Sequence, residues 1–203
     1  MKKKVAIFFS KNKLCFNYDL WDQNGNNLLL ITGLSGSGKT FFAKNLGHAL
    51  QCDIISFDAL RFYNEASIIS KKYVDKFSET CRSVKKHIEN NWNFKNGKFD
   101  LEEDKKFTEY CKLFYMFLLN FAREQQIKLI IEGIQFFTRI PFYLTNEAPK
   151  IVLLTSSLQS FIRKIKRDKN NARKLLKDFE LFYMYHVKQR NILNKYISYF
   201  EVK

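Results

Sequence analysis

Eight consecutive residues, Gly33 to Thr40, match the pattern G-x-x-x-x-G-K-[ST] between an apolar run and a helical pattern. Glycines there let successive backbone N–H groups point at phosphate oxygens, which a Cβ would obstruct. The positive end of the following helix faces the same anion. Lys39 can reach β- and γ-phosphates, and the Thr40 hydroxyl can ligate Mg²⁺. The sequence therefore predicts a phosphate-binding loop, with binding positions at Gly33, Ser35, Gly36, Ser37, Gly38, Lys39 and Thr40.

Asp58 ends a strand-like run at 53–57. Parallel sheets bind ligands beyond the carboxyl ends of their strands, so this carboxylate is expected near the γ-phosphate position. There it would act as the base or hydroxyl-orienting group for an acceptor, or hold a Mg²⁺-bound water. The alternative is an N-cap for a helix that starts at Ala59, a role that aspartate fills well.

Glu132 follows the apolar residues 129–131 at the end of another predicted strand. A carboxylate buried without a partner is costly, so a partner is expected. A Mg²⁺-bound water near Thr40 would provide it, and the alternative is a salt bridge to a lysine. Because no tandem Asp-Glu pair ends this strand and no L-S-G-G-Q element occurs, the sequence argues against an ABC-type ATPase.

A basic segment at 157–175 places Arg163 and Arg167 four residues apart, on one face of a predicted helix. As a mobile lid over a triphosphate, it would stabilise the charge on the transferred phosphoryl group. The alternative is a solvated basic helix face. The predicted catalytic residues are Lys39, Asp58, Arg163 and Arg167.

The predicted strands and helices must position these residues. In the sequence, continuous apolar runs alternate with helical patterns. They predict an α/β fold with a mostly parallel five-stranded sheet that helices cover on both faces. Residues 1–26 indicate an N-terminal hairpin, and 64–126 a helical insertion on the acceptor side. Strands are expected at about 27–32, 53–57, 128–132, 151–155 and 196–202, and helices at about 39–51, 101–126, 157–168 and 174–195.

Two of the predicted helices are rich in aromatic residues. In the helix after the loop, Phe41, Phe42, Leu46 and Leu50 are expected to face the core. The aromatic residues of the insertion either pack its helices or stack on the base of an acceptor, and both roles stay open.

The 203 residues carry a net charge of +15 and are 46% hydrophobic, which excludes a disordered chain and predicts one domain over 1–203. The charge favours anionic partners. Nucleic acid is not favoured among them, because the lysines are scattered rather than gathered in one stripe. No apolar run is long enough to span a bilayer, and no signal-peptide cleavage site follows the basic start. With four dispersed cysteines, the protein is expected in the cytoplasm.

Four segments resemble, in this order, the uridine kinase-like group of P-loop small-molecule kinases. That group carries G-x-S-G-S-G-K-[ST], I-S-x-D followed by F-Y, E-G, and R-R-I-x-R-D. This chain carries GLSGSGKT at 33–40, ISFD at 55–58 followed by FY, EG at 132–133, and RKIKRD at 163–168. The resemblance implies the P-loop NTPase fold with ATP and Mg²⁺ as cofactors. It implies Asp58 as the base, magnesium held by Thr40, Asp58 and Glu132, and ATP phosphates contacted by Arg163 and Arg167.

The chain departs from that group at several points. The lid of the group continues E-R-G-R, whereas this chain has NARK at 171–174, which shifts or removes those arginines. Residues 64–126 carry no recognisable nucleoside-binding signature, and the hairpin-like start at 1–26 is additional. The resemblance therefore leaves the acceptor open.

Together these residues predict an ATP-dependent phosphotransferase that moves the γ-phosphoryl group to a hydroxyl of a nucleoside-like or other small metabolite. One alternative is a polynucleotide-end kinase, motivated by the high positive charge. Another is a nucleotide-switched regulatory ATPase that has no acceptor.

Overall fold

A computed structural model of the chain describes residues 5–9, 27–57, 101–145, 148–167 and 179–198. Strands and helices alternate along these ranges, and none of their helices is both long and apolar enough to cross a membrane. The strands are β1 (Val5–Phe9), β2 (Leu28–Gly33), β3 (Asp53–Ser56), β4 (Leu129–Glu132) and β5 (Lys150–Leu154). The helices are α1 (Lys39–Leu50), α2 (Leu101–Glu124), α3 (Gln135–Thr138), α4 (Phe142–Thr145), α5 (Ser157–Arg167) and α6 (Phe179–Ser198).

The described strands form a parallel sheet in the order β1-β5-β2-β4-β3. β2 lies between β4 and β5, and Ile31 pairs with Glu132 on one side and with Ile151 on the other. Parallel neighbours need long crossover connections, which agrees with the alternation of strands and helices. The α/β class and the parallel sheet are therefore confirmed, and β2 to β5 coincide with four of the expected strands.

Alternate side chains of β2 pack on opposite faces of the sheet. Leu29 and Ile31 belong to the same buried cluster as Leu46 of α1. Leu28 and Leu30 belong to a second cluster, which contains the buried side of α2. Because helices cover both faces, every position of β2 is buried, and this is why the strand is a continuous apolar run in the sequence.

The buried aromatic residues of α2 pack in the core. The ring centroid of Phe114 lies 5.4 Å from that of Phe57, which in turn lies 5.0 Å from Phe136. Tyr115 joins the same cluster, with its ring 6.2 Å from Phe136. Of the two roles left open for the aromatic residues of the insertion, core packing is therefore the one that applies to Phe114 and Tyr115.

The prediction for the C-terminal segment is wrong where the structure tests it. Residues 196–198 belong to α6 rather than to a strand, and residues 199–202 lie outside the described ranges. Leu193, Tyr196 and Ile197 recur at helical spacing and pack in one cluster with Val152 of β5. Although aromatic and β-branched residues favour a strand by composition, the helical period of the buried positions overrides that preference.

The expected N-terminal hairpin is tested only in its first run. Val5–Phe9 is a strand, but it pairs in parallel with β5 at the edge of the sheet, with Val5 opposite Lys150. The second run of the expected hairpin, at 14–18, lies outside the described residues. Val5–Phe9 therefore adds an edge strand to the parallel sheet, and the hairpin itself stays a prediction.

The core-facing side of α1 was predicted correctly except at Phe41. Leu46 is buried and Phe42 and Leu50 are partly buried in the same cluster, whereas Phe41 is 76% exposed. Phe41 precedes the buried Ala43 by two positions, which is a rotation of about 200° around the helix. Phe41 therefore lies on the side of α1 opposite to the sheet.

We expect Phe114→Ala to lower the free energy of unfolding by about 3–5 kcal/mol, because truncation of this buried ring leaves a cavity among aromatic neighbours. The neighbouring residue supplies the control, since Leu113 is 65% exposed on the same helix. Leu113→Ala should change stability by less than about 0.5 kcal/mol. Urea unfolding followed by circular dichroism measures both values, and equal losses would contradict the orientation of α2.

Candidate functional site

The segment between β2 and α1 folds into a tight loop. Gly36 and Gly38 have φ angles of 74° and 92°, a backbone conformation that favours glycine because a Cβ makes it costly. The N–H group of Ser37 donates to the Leu34 carbonyl at 3.1 Å and closes the turn. α1 begins directly afterwards at Lys39, so the positive end of this helix lies at the loop.

The Lys39 ammonium group is held by the loop itself. Lys39 is only 6% exposed, and its Nζ donates to the Gly33 and Leu34 carbonyl oxygens at 3.2 Å and 3.1 Å. These acceptors stabilise the buried charge and keep it within the loop. In the same loop, the buried Ser37 Oγ makes no hydrogen bond to any described residue. A phosphate oxygen at the loop would satisfy this hydroxyl and face the ammonium group, so the residues fit an anionic ligand.

Glu132 lies fully buried at the end of β4, beside the loop. Its Oε1 accepts a hydrogen bond from Thr40 Oγ1 at 3.0 Å and another from Ser56 Oγ at 2.5 Å. The sheet register explains the second contact, because Ser56 stands directly opposite Glu132 on the neighbouring strand. Two hydroxyl groups therefore hold the carboxylate, and the structure brings together Thr40 and Glu132 of the three expected metal ligands.

Hydroxyl and carboxylate oxygens are the ligands that Mg²⁺ prefers, and it is usually held by one or two carboxylates with water completing its shell. Thr40 and Glu132 fit such an ion. The described residues contain no group of three His, Cys, Asp or Glu side chains that could hold a metal, and the expected third ligand, Asp58, lies outside them.

The first turns of α5 pack against the loop. Ser160 is fully buried and its Oγ donates to the Ser35 carbonyl, while Arg163 Nη1 donates to the Gly36 carbonyl at 3.1 Å. A Cβ built on Gly38 would lie 3.8 Å from the same Arg163 nitrogen. The guanidinium group of Arg163 therefore sits beside the loop from Gly36 to Gly38.

His186 of α6 contacts the start of α5. Its Nδ1 lies 2.9 Å from Ser157 Oγ, at the start of α5. Burial lowers the pKa of His186, nearby Arg190 lowers it further, and the Ser35 backbone opposes both effects. Arg190 itself donates to the Thr155 carbonyl at 2.9 Å, just after β5. Contacts of α6 thereby fix the segment that leads from the sheet into α5.

Some expected site residues stay predictions. Asp58 lies outside the described residues, as do residues 168–175 of the expected lid and the side chain of Arg167. Among the described ones, Lys39, Thr40 and Arg163 lie at the loop.

Sequence reasoning missed Ser56, Ser160 and His186. The sequence did contain a signal for two of them. Ser56 precedes Asp58 by two residues, the period of a strand, and Ser160 precedes Arg163 by three, which places both on one helix face. Nothing in the sequence marks His186, which reaches the site from a distant helix.

Comparison with known proteins assigns no family to this chain. No protein-family model matches it, and no curated protein matches it significantly. Its function is therefore argued from the loop, the buried carboxylate and α5.

We expect the free energy of unfolding to fall as the pH drops below about 6.5, with His186 as one cause. Its pKa is lowered in the folded protein, so in this window the unfolded chain binds the proton and the folded chain does not. The histidine therefore destabilises the fold progressively as the pH falls.

His186→Asn keeps a polar group near Ser157 but cannot bind the proton, so it should flatten the loss of stability between about pH 7.5 and 5.5. The control is His48→Asn, at an exposed position of α1, which should keep the wild-type slope. Urea unfolding at a series of pH values measures all three proteins. Parallel curves for wild type and His186→Asn would contradict the role of His186.

Proposed function

We propose that this protein has the P-loop NTPase fold and is an ATP- and Mg²⁺-dependent phosphotransferase. It moves the γ-phosphoryl group of ATP to a hydroxyl of a nucleoside-like or other small metabolite. The strand–loop–helix unit of β2 and α1, in the centre of a parallel sheet, supports this proposal. The carboxyl ends of the central strands in such sheets are where ligands bind.

One observation carries the proposal further than the loop pattern does. Thr40 and Glu132 come from neighbouring elements, stand 92 positions apart in the chain, and meet at 3.0 Å between Oγ1 and Oε1. A loop that only bound an anion would have no need of a buried carboxylate beside it, because like charges repel. A divalent cation next to the phosphates reconciles the two charges, since it binds both.

The proposed role of each site residue follows from its charge and its position. Lys39 and the loop amides would bind the β- and γ-phosphates, and Thr40 and Glu132 would hold Mg²⁺, directly or through water. A bound ion would neutralise charge on the phosphates. Asp58, next in the chain after the buried Phe57, accepts the proton of the acceptor hydroxyl. The acceptor oxygen then bonds to the γ-phosphorus as the bond to the β–γ bridging oxygen breaks, and ADP leaves.

The test is ATP consumption in the presence of pooled nucleosides, sugars and other hydroxylated metabolites. Stimulation by one compound, with phosphorus NMR showing its phosphate ester, supports the kinase. Stimulation by oligonucleotides, with an affinity that falls steeply with salt, would favour the polynucleotide-end kinase instead. Slow hydrolysis that no compound stimulates would favour the regulatory ATPase.

Lys39→Ala is expected to weaken ATP and ADP binding about 10- to 100-fold, because it removes a charge-assisted contact to the phosphates. Lys44→Ala is the matched control, since Lys44 is an exposed lysine on the same helix and should bind nucleotide like the wild type. Isothermal titration of each nucleotide measures the affinities. If Lys39→Ala bound both nucleotides as tightly as the wild type, the loop would not be the nucleotide-binding site.

Asp58→Asn is expected to lower kcat about 100-fold or more while the affinity for ATP stays within about twofold, because the amide cannot take the acceptor proton. Single-turnover transfer to the identified acceptor gives the rate, and titration gives the affinity. Full activity of this variant would exclude Asp58 from the mechanism and leave its alternative role as an N-cap.

A further inference from the structure

The carbonyl groups of the loop need donors of their own. A loop that presents N–H groups to an anion turns its carbonyl groups the other way, and an unpaired carbonyl that is shielded from water is costly. Here two of these carbonyls obtain their donors from α5. Ser160 Oγ donates to Ser35, and Arg163 Nη1 donates to Gly36 at 3.1 Å.

The packing between α5 and the loop leaves no room for a side chain. A Cβ on Gly36 would lie 3.0 Å from the Ser160 carbonyl oxygen and 3.1 Å from the Ser160 Cα. Ser160 is fully buried, whereas Arg163 is exposed. The backbone of α5 therefore rests directly on the loop, and the two side chains reach it from successive turns of one helix face.

We infer that Ser160 and Arg163 are positioning residues, which hold the Ser35 and Gly36 carbonyls and so keep the loop amides oriented towards the β-phosphate of a nucleotide. That the ligand is a nucleotide rests on the proposed function. The effect of Ser160 and Arg163 on the loop backbone does not depend on it. The role differs from the one expected for Arg163 in a mobile lid, because its guanidinium group donates to the loop backbone at the Gly36 carbonyl. Its loss should therefore affect every nucleotide that has a β-phosphate.

Amide hydrogen exchange of the nucleotide-free protein tests the effect on the loop. The Ser37 amide is the reporter, because it is hydrogen-bonded to the Leu34 carbonyl within the loop. Ser160→Ala and Arg163→Ala should each raise its exchange rate about fivefold or more. Lys188→Ala is the control, since it removes an exposed cation from α6 and should leave the rate unchanged.

Binding and turnover test the consequence for the nucleotide. Arg163→Ala should raise the Kd of ADP and of ATP by the same factor, about 10-fold, with kcat at saturating ATP within about twofold of wild type. Arg163→Lys keeps a cationic donor and should recover part of the affinity. A residue that contacts the transferred phosphoryl group would instead lower kcat and leave ADP affinity intact.

The outcomes separate this inference from the proposed function. Unchanged exchange at Ser37 in both variants overturns the positioning role, and so does a loss of kcat with wild-type ADP affinity. If the wild-type protein binds neither ADP nor ATP, the proposed function fails, and hydrogen exchange still decides whether α5 orders the loop.

Discussion

The buried carboxylate of Glu132 requires hydrogen-bond donors, and this requirement ties together three elements of the site. Thr40 at the start of α1 and Ser56 at the end of β3 both donate to the same oxygen. An ionised group at this depth is tolerated only with such partners. The contacts therefore fix where the ends of β3 and β4 lie relative to the loop, and any cation that binds there meets a preorganised set of oxygens.

The loop is held by its neighbours rather than by its own hydrogen bonds alone. Within the loop, the first carbonyls accept from Lys39, and carbonyls further along accept from the neighbouring α5. α6 in turn contacts the start of α5 through His186 and Ser157. These contacts form a continuous path from α6 through the start of α5 to the loop.

Local patterns predicted most of the sheet and part of the site. β2, β4 and β5 were predictable because burial on both faces makes them largely apolar runs, whereas only Ile55 of the shorter β3 is buried. The meeting of Thr40 with Glu132 follows from the rule that strand ends converge. Residues 196–198 were predicted as a strand because aromatic and β-branched residues favour one, although Leu193, Tyr196 and Ile197 recur at helical spacing. Ser160 and His186 were not predicted as site residues, because their partners lie in distant segments of the chain. The roles of Asp58 and Arg167 stay predictions.

The central position of β2 has a consequence for how the chain folds. This strand is synthesised early, yet its partners come late: Thr32 Oγ1 donates at 2.7 Å to the Gly133 carbonyl, 101 positions further on, and Ile31 pairs with Ile151. Until then both edges of β2 expose unpaired backbone groups, and the closure of such long loops is slow. A nascent chain on the ribosome therefore carries an apolar strand with unpaired edges until β5 has emerged.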